Sequence, residues 1–244
     1  MSEGSLLLAI DAARRTIGIS LPTVIDALTG RYSHERSNER LRGWAKGLIE
    51  MTRITLQVSG VEHLPSQPCV LMSNHQSYSD IPLIYASIPE GLRLRMVAKY
   101  ELFYVPIWGR AMRNSGFIPI VRSDRKKAIE SLEEAKRQIG SGTYVWIAPE
   151  GTRSRNQQLG TLKKGGFILA RDVGVPITPM CIDGSHAVMP PQGWRLHRGN
   201  TVRIRFGAPI ATANREIEDV MQDVAAAIDP ARVFAGEPAP PRMD

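Results

Sequence analysis

The sequence predicts an α/β fold: a mostly parallel sheet of about seven strands flanked by helices, with an amphipathic helical hairpin ahead of it. Two observations predict it. From Ile54 onward, short runs rich in apolar and β-branched residues alternate with segments of helical periodicity, the pattern left when helices join parallel strands. Before Ile54, apolar residues recur at steps of three and four, the spacing of one helical face. The chain has 244 residues, 43% of them hydrophobic, enough for one domain with its own core plus a small appendage. The expected division is an amphipathic segment at 1–53, an α/β domain at 54–234 and a Pro-rich, mobile tail at 235–244.

The hairpin comes first. Leu6, Ile10, Ala13, Ile17, Leu21, Val24 and Leu28 share one face, with Asp11, Arg14, Arg15 and Asp26 off it. Pro22 lacks the N–H of a helix interior and is expected to kink or divide the run. Leu41, Trp44, Leu48 and Met51 continue the pattern, which puts the turn between Thr29 and Asn38. The stripe before that turn has two readings: packing on the protein's own core, the commoner one, or shallow insertion into a lipid surface. Strands follow at 54–60, 69–73, 95–98, 117–121, 143–148, 176–182 and 201–206, with helices at 80–88, 100–114, 124–139, 164–173 and 212–228. In such sheets, ligands bind beyond the carboxyl ends of the strands.

Composition narrows the function. Two cysteines, Cys69 and Cys181, are too few for a disulfide framework or a zinc cluster, so no metal site is expected and a reducing compartment fits. The aliphatic run Leu6–Ile10 is far shorter than the roughly 20 apolar residues of a spanning helix. Only Glu3 is charged ahead of it, so the basic start of a secretory signal is lacking and residence in the cytoplasm is expected. Between Arg93 and Lys127 stand nine basic residues against two acidic ones, which equals the whole excess of +7. That concentration points to a polyanion or an anionic surface, with an ordinary solvated face as the plainer reading. The sequence lacks zinc-finger spacing, RNP-type aromatics and a basic region leading into heptads, which argues against nucleic acid as a partner.

Two loops carry the chemistry. The strand at 69–73 is followed by Asn74, His75, Gln76, Ser77, Tyr78, Ser79 and Asp80, then Ile81 and Pro82. Pro82 suits the first turn of a helix and Ser79 or Asp80 its cap, so His75 falls in the strand-to-helix loop. Asp80 can there accept from one imidazole nitrogen, set the tautomer and raise the basicity of the other, as a base for a hydroxyl requires. A capping Asp beside an ordinary surface His would read the same. The strand at 143–148 is followed by Pro149, Glu150, Gly151, Thr152, Arg153 and Ser154, whose amides, hydroxyl and guanidinium could surround a phosphate. A plain turn uses Pro and Gly too, but does not explain why both motifs end strands of one sheet.

Together these residues resemble the glycerolipid acyltransferases typified by 1-acylglycerol-3-phosphate acyltransferase, also called lysophosphatidic acid acyltransferase. Four blocks carry the resemblance from Asn74 to Pro179, in the family's order: NHQSYSD with its His-x4-Asp signature, GFIPIVR at 116–122, PEGTRS at 149–154 and VPITP at 175–179. The resemblance implies a catalytic pair at His75 and Asp80, and contacts to the acceptor's phosphate from Arg122, Glu150, Gly151 and Arg153, with Thr152 among them. Asn74 and Ser77 beside the histidine are further candidates. Lys163 and Lys164 join them by position alone, with a solvent-facing role equally open. Ala148 stands where the family usually has Phe, and Pro119 where it usually has an aromatic.

The implied reaction moves a fatty acyl group from acyl-CoA or acyl-ACP (acyl carrier protein) to the sn-2 hydroxyl of 1-acylglycerol-3-phosphate, giving phosphatidic acid. His75 acts as general base and no acyl-enzyme forms. Cys69, opening a buried strand, reads as a packed apolar side chain rather than a nucleophile. No resident cofactor is implied; the thioester is a co-substrate. The expected partners are the lysophospholipid, the acyl thioester with its carrier protein, and an anionic membrane surface on the cytoplasmic side. Two other readings stand beside this one: an acyltransferase for another lysolipid or a non-glycerol alcohol, and a non-catalytic anionic-lipid-binding protein.

Overall fold

The structure, a computed structural model, describes residues 4–121 and 125–241. It opens with α1 (Leu6–Leu28) and α2 (His34–Thr52). Ser5 caps the first by accepting from the Leu8 N–H, and Ser33 caps the second by accepting from Arg36. Pro22 lies inside α1 and does not divide it. The carbonyl it leaves without a partner belongs to Gly18, on an exposed turn where water can replace the lost donor.

The two helices treat their apolar stripes in opposite ways. On α2, Leu41, Ala45 and Leu48 are buried, and Trp44 and Met51 pack against the core. On α1, Leu6, Ile10, Ile17, Leu21 and Leu28 are 45–68% exposed, and of the predicted stripe only Val24 is buried. The core-packing reading of that stripe therefore fails. The inward side of α1 is mixed: Leu8 is buried in the core with Ala9, Ala12 and Ile19 packed against it, while Thr16 accepts from the Trp44 indole at 3.0 Å and Asp26 pairs with Arg40 at 2.7 Å and Arg36 at 3.2 Å. Among the described residues no helix is long and apolar enough to cross a membrane.

All seven predicted strands form: β1 (Thr55–Ser59), β2 (Val70–Ser73), β3 (Leu94–Lys99), β4 (Ile118–Ile120), β5 (Tyr144–Ile147), β6 (Ile177–Asp183) and β7 (Thr201–Phe206). Their order is β1-β7-β6-β2-β5-β3-β4, with every neighbouring pair parallel except β6 and β7. The helices are α3 (Asp80–Ser87), α4 (Trp108–Asn114), α5 (Arg125–Gly140), α6 (Gly165–Val173), α7 (Ser185–Val188), α8 (Ile217–Ile228) and α9 (Pro230–Val233). Residues on β2 alternate between two cores: Leu71 meets Leu83, Met96 and Trp146, whereas Val70 and Met72 meet Phe167, Ile177 and Val224. Burial on both faces explains why these strands read as continuous apolar runs.

Four expectations change. The single helix expected at 100–114 is a 3-10 turn, Tyr100–Tyr104, followed by α4, because Pro106 has no N–H and Ile107 adopts a φ of +63°. The helix expected from 212 starts at Ile217. Arg95, counted with the surface charge, is fully buried and donates to the Ser115 and Leu94 carbonyls and to Asn38, tying α2 to β3. Finally, residues 235–241 of the Pro-rich end lie along β7: the Thr201 N–H donates to the Pro241 carbonyl at 3.2 Å, and Glu237 bridges Arg203 at 3.0 Å and Arg205 at 2.8 Å.

Candidate active site

β2 and β5 are parallel neighbours, so the loops after them emerge side by side at the carboxyl edge of the sheet. The loop after β2 is shaped by hydrogen bonds to its own side chains. Asp80 is fully buried at the start of α3, and one of its oxygens accepts three donors: His75 Nδ1 at 2.7 Å, the Gln76 N–H at 2.8 Å and the Ser77 N–H at 2.9 Å. An ionised carboxylate can only accept, so the ring proton is placed on Nδ1 and Nε2 is the nitrogen left for a substrate. The His75 side chain is 15% exposed, with its edge against Trp146 at 5.7 Å between ring centroids. Trp146 is fixed in turn by its indole N–H, which donates to the Ser73 hydroxyl at 3.0 Å.

The remaining predicted residues divide by what they touch. Asn74 binds both backbone groups of Ile182 on β6, accepting at 2.8 Å and donating at 2.7 Å, which anchors the loop to the next strand. The Ser77 hydroxyl donates to the Met189 carbonyl at 2.8 Å and accepts from the Ser79 N–H at 3.0 Å. Glu150 was expected at the acceptor's phosphate. Its buried carboxylate spans the two loops, accepting from the His75 N–H at 3.0 Å and the Gly160 N–H at 2.8 Å. An added Cβ at Gly160 would lie 3.1 Å from that carboxylate, which is why glycine suits the position. Burial pushes the Glu150 carboxyl above the usual carboxylate range, partly opposed by the hydrogen bonds from Gly160 and His75. The Ser154 N–H donates to the His75 carbonyl at 2.7 Å and closes the link between the loops.

Gly151, at a φ of +70°, turns the chain after β5, and Thr152 is exposed. Arg153 then lies with its guanidinium carbon 3.7 Å from the ring centre of Tyr78, three residues past His75. Its Nη1 is buried without a hydrogen-bond partner among the described residues, leaving N–H donors ready for an anion. Tyr78 stands inside the NHQSYSD motif but was not singled out. The signal for it was an aromatic in an otherwise polar loop. Lys163 is exposed and joins the site only through its backbone, donating to the Pro149 carbonyl at 2.8 Å, while Lys164 pairs with Glu218 of α8. Arg122 lies outside the described residues.

The thiol is not available for chemistry. Cys69 is fully buried, and desolvation pushes it up to about 11. Among the described residues there is no group of three or more His, Cys, Asp or Glu placed to hold a metal.

Comparison with known proteins identifies the family. A family model described as Acyltransferase matches residues 55–183. A chloroplastic 1-acyl-sn-glycerol-3-phosphate acyltransferase of Brassica napus is 35% identical over 155 residues, covering 63% of this chain and 44% of its own. A Pseudomonas aeruginosa protein with the same enzyme name is 30% identical over 215 residues, covering 82% of each. The chain spans less than half the length of the Brassica relative and of an Arabidopsis thaliana one. Among solved structures, a 1-acyl-sn-glycerophosphate acyltransferase from Thermotoga maritima superposes with a TM-score of 0.73 at 23% identity, over 91% of this chain and 92% of that one, a likeness of fold.

Proposed function

The chain belongs to the acyltransferase family, and we propose that it transfers a fatty acyl group from a thioester to the sn-2 hydroxyl of 1-acylglycerol-3-phosphate. One observation carries this reading: an imidazole locked to a buried carboxylate at 2.7 Å, beside a guanidinium whose inner nitrogen has no partner. His75 Nε2 takes the hydroxyl proton as that oxygen attacks the thioester carbonyl, and Asp80 stabilises the imidazolium. The new C–O bond forms, the C–S bond breaks, and the proton passes from His75 to the departing thiolate. Transfer is direct, without an acyl-enzyme: Cys69 is buried, and the Ser77 hydroxyl is occupied at both its donor and its acceptor side. Arg153 holds the acceptor's phosphate and so sets the hydroxyl against His75, an orientation effect that can contribute several kcal/mol.

The acceptor lies in a bilayer, and the outward stripe of α1 supports peripheral docking on an anionic surface. Sedimentation with anionic vesicles at low and high salt tests this; a protein that stays in the supernatant at both contradicts it. The reaction itself is tested by incubating purified protein with acyl-CoA, or with acyl carrier protein charged with the same chain, and a panel of lysolipids read by mass spectrometry. Phosphatidic acid is the expected principal product. Turnover of other lysolipids alone would move the assignment within the family, and no turnover with any acceptor would overturn it.

A further inference from the structure

The segment between α7 and β7 exposes 73% of Trp194. Its ring stacks on Tyr78, with centroids 6.4 Å apart and planes 27° from parallel. Tyr78, itself 45% exposed, is the same ring that carries Arg153. Two residues on, Leu196 pairs with Ser5 through backbone bonds of 2.8 and 3.3 Å, and the Arg195 guanidinium donates to the Gly4 carbonyl at 3.4 Å. Trp194 therefore stands next to the start of α1, where Leu6, Leu7 and Ile10 are 56%, 77% and 57% exposed. Exposed apolar side chains at the start of α1, the Trp194–Tyr78 stack and the Arg153 guanidinium are thus linked through the backbone pairing of Ser5 with Leu196.

The two segments that flank this seam, Gly151–Arg171 and Gly184–Arg215, carry ten basic residues and no acidic one. Lys164, Arg171, Arg203, Arg205 and Arg215 are ion-paired with carboxylates outside them, which leaves Arg153, Arg155, Lys163, Arg195 and Arg198 without a carboxylate partner among the described residues. Basic loops alone would suit an acidic protein as well as a lipid surface. An indole that joins an apolar ring to a polar N–H, set beside exposed leucines, suits the water–lipid boundary.

We propose that Trp194 is an interfacial anchor: it seats in the headgroup layer of an anionic phospholipid bilayer and so sets how deep the candidate site rides relative to a lysophospholipid's phosphate. This rests on the acyl-transfer reading for its purpose, but the binding it requires can be measured without turnover.

The experiment compares the parent protein with Trp194→Ala and Trp194→Phe on vesicles of phosphatidylcholine doped with phosphatidylglycerol, with and without brominated chains. The parent's tryptophan fluorescence should be quenched by the brominated lipid. Trp194→Ala should lose most of that quenching and partition about tenfold more weakly, with Trp194→Phe recovering much of the partitioning. The apparent KM for an acceptor embedded in vesicles should rise by a similar factor. The kcat, and turnover of a short-chain acceptor dissolved as monomers, should stay within about twofold.

Unchanged quenching and partitioning in Trp194→Ala would overturn the proposal. So would an equal loss on the dissolved acceptor, which marks a merely structural stack. A loss confined to acyl carrier protein as donor, with partitioning intact, would make the patch a protein-docking face and contradict it too. If the parent turns over no acceptor at all, the quenching and partitioning arms still decide the role of Trp194, so the two readings can fail separately.

Discussion

The loops after β2 and β5 stand side by side and differ in what their polar side chains hold: backbone and imidazole in the first, an aromatic ring in the second. In the first, Asp80 takes three donors on one oxygen, Asn74 takes both backbone groups of Ile182, and the Ser77 hydroxyl is matched as donor and acceptor. In the second, Thr152 is exposed, and the Arg153 guanidinium rests on a ring and leaves a buried nitrogen without a partner. On the proposed mechanism the loops have different tasks. A base must be held in one orientation before substrate arrives, and Asp80 holds the imidazole at Nδ1, although its second oxygen and the Gln76 side-chain oxygen are buried without a partner among the described residues. A group that grips an incoming anion must keep donors free, at the cost of leaving them unpaired in the empty site.

The largest test of this contrast is Asp80→Asn. The oxygen that accepts from the Gln76 and Ser77 amides is the same one that faces Nδ1, so the amide can keep these bonds and the tautomer while removing the negative charge that stabilises the imidazolium. The kcat should fall by about 10²- to 10⁴-fold with the melting temperature nearly unchanged. A fall of less than about tenfold would mean that the carboxylate's charge does not matter. Next comes Arg153→Ala. It should act on the other term, raising KM for the phosphate-bearing acceptor by about 10- to 100-fold and changing kcat far less. Equal losses in kcat and KM would erase the distinction between the loops.

The smallest effect belongs to Glu150→Gln and appears in stability. Burial raises the Glu150 carboxyl, so its proton is bound more tightly in the folded than in the unfolded chain. The stability linked to that proton is full below the ordinary carboxyl range and is lost as pH rises through the raised value. The variant lacks this dependence. The melting temperature of the parent minus that of the variant should therefore decline as pH rises from below the carboxyl range towards neutrality. A flat or rising difference would show that the bonds from His75 and Gly160 outweigh burial.

How much of this was legible in the sequence depended on distance along the chain. The strands were legible because each is buried on two faces and reads as an apolar run. The His75–Asp80 pair was legible because its members are five residues apart in one loop. The orientation of α1 was not, since periodicity tells which residues share a face and not what covers it; the outcome turned on Asp26 and Thr16 meeting Arg40 and Trp44 of α2. Nor was the stack of Trp194 on Tyr78, which spans 116 positions and leaves no local mark. The bond from the His75 amide to Glu150, which spans 75 positions, leaves no local mark either.

The central claim is that one imidazole nitrogen removes the acceptor's proton. Its most direct measurement is the rate of phosphatidic acid formation by His75→Ala beside the parent, with both melting temperatures recorded. The proposed mechanism predicts loss of turnover by at least about 10²- to 10⁴-fold at a nearly unchanged melting temperature. Turnover at the parental rate in a folded variant would contradict it.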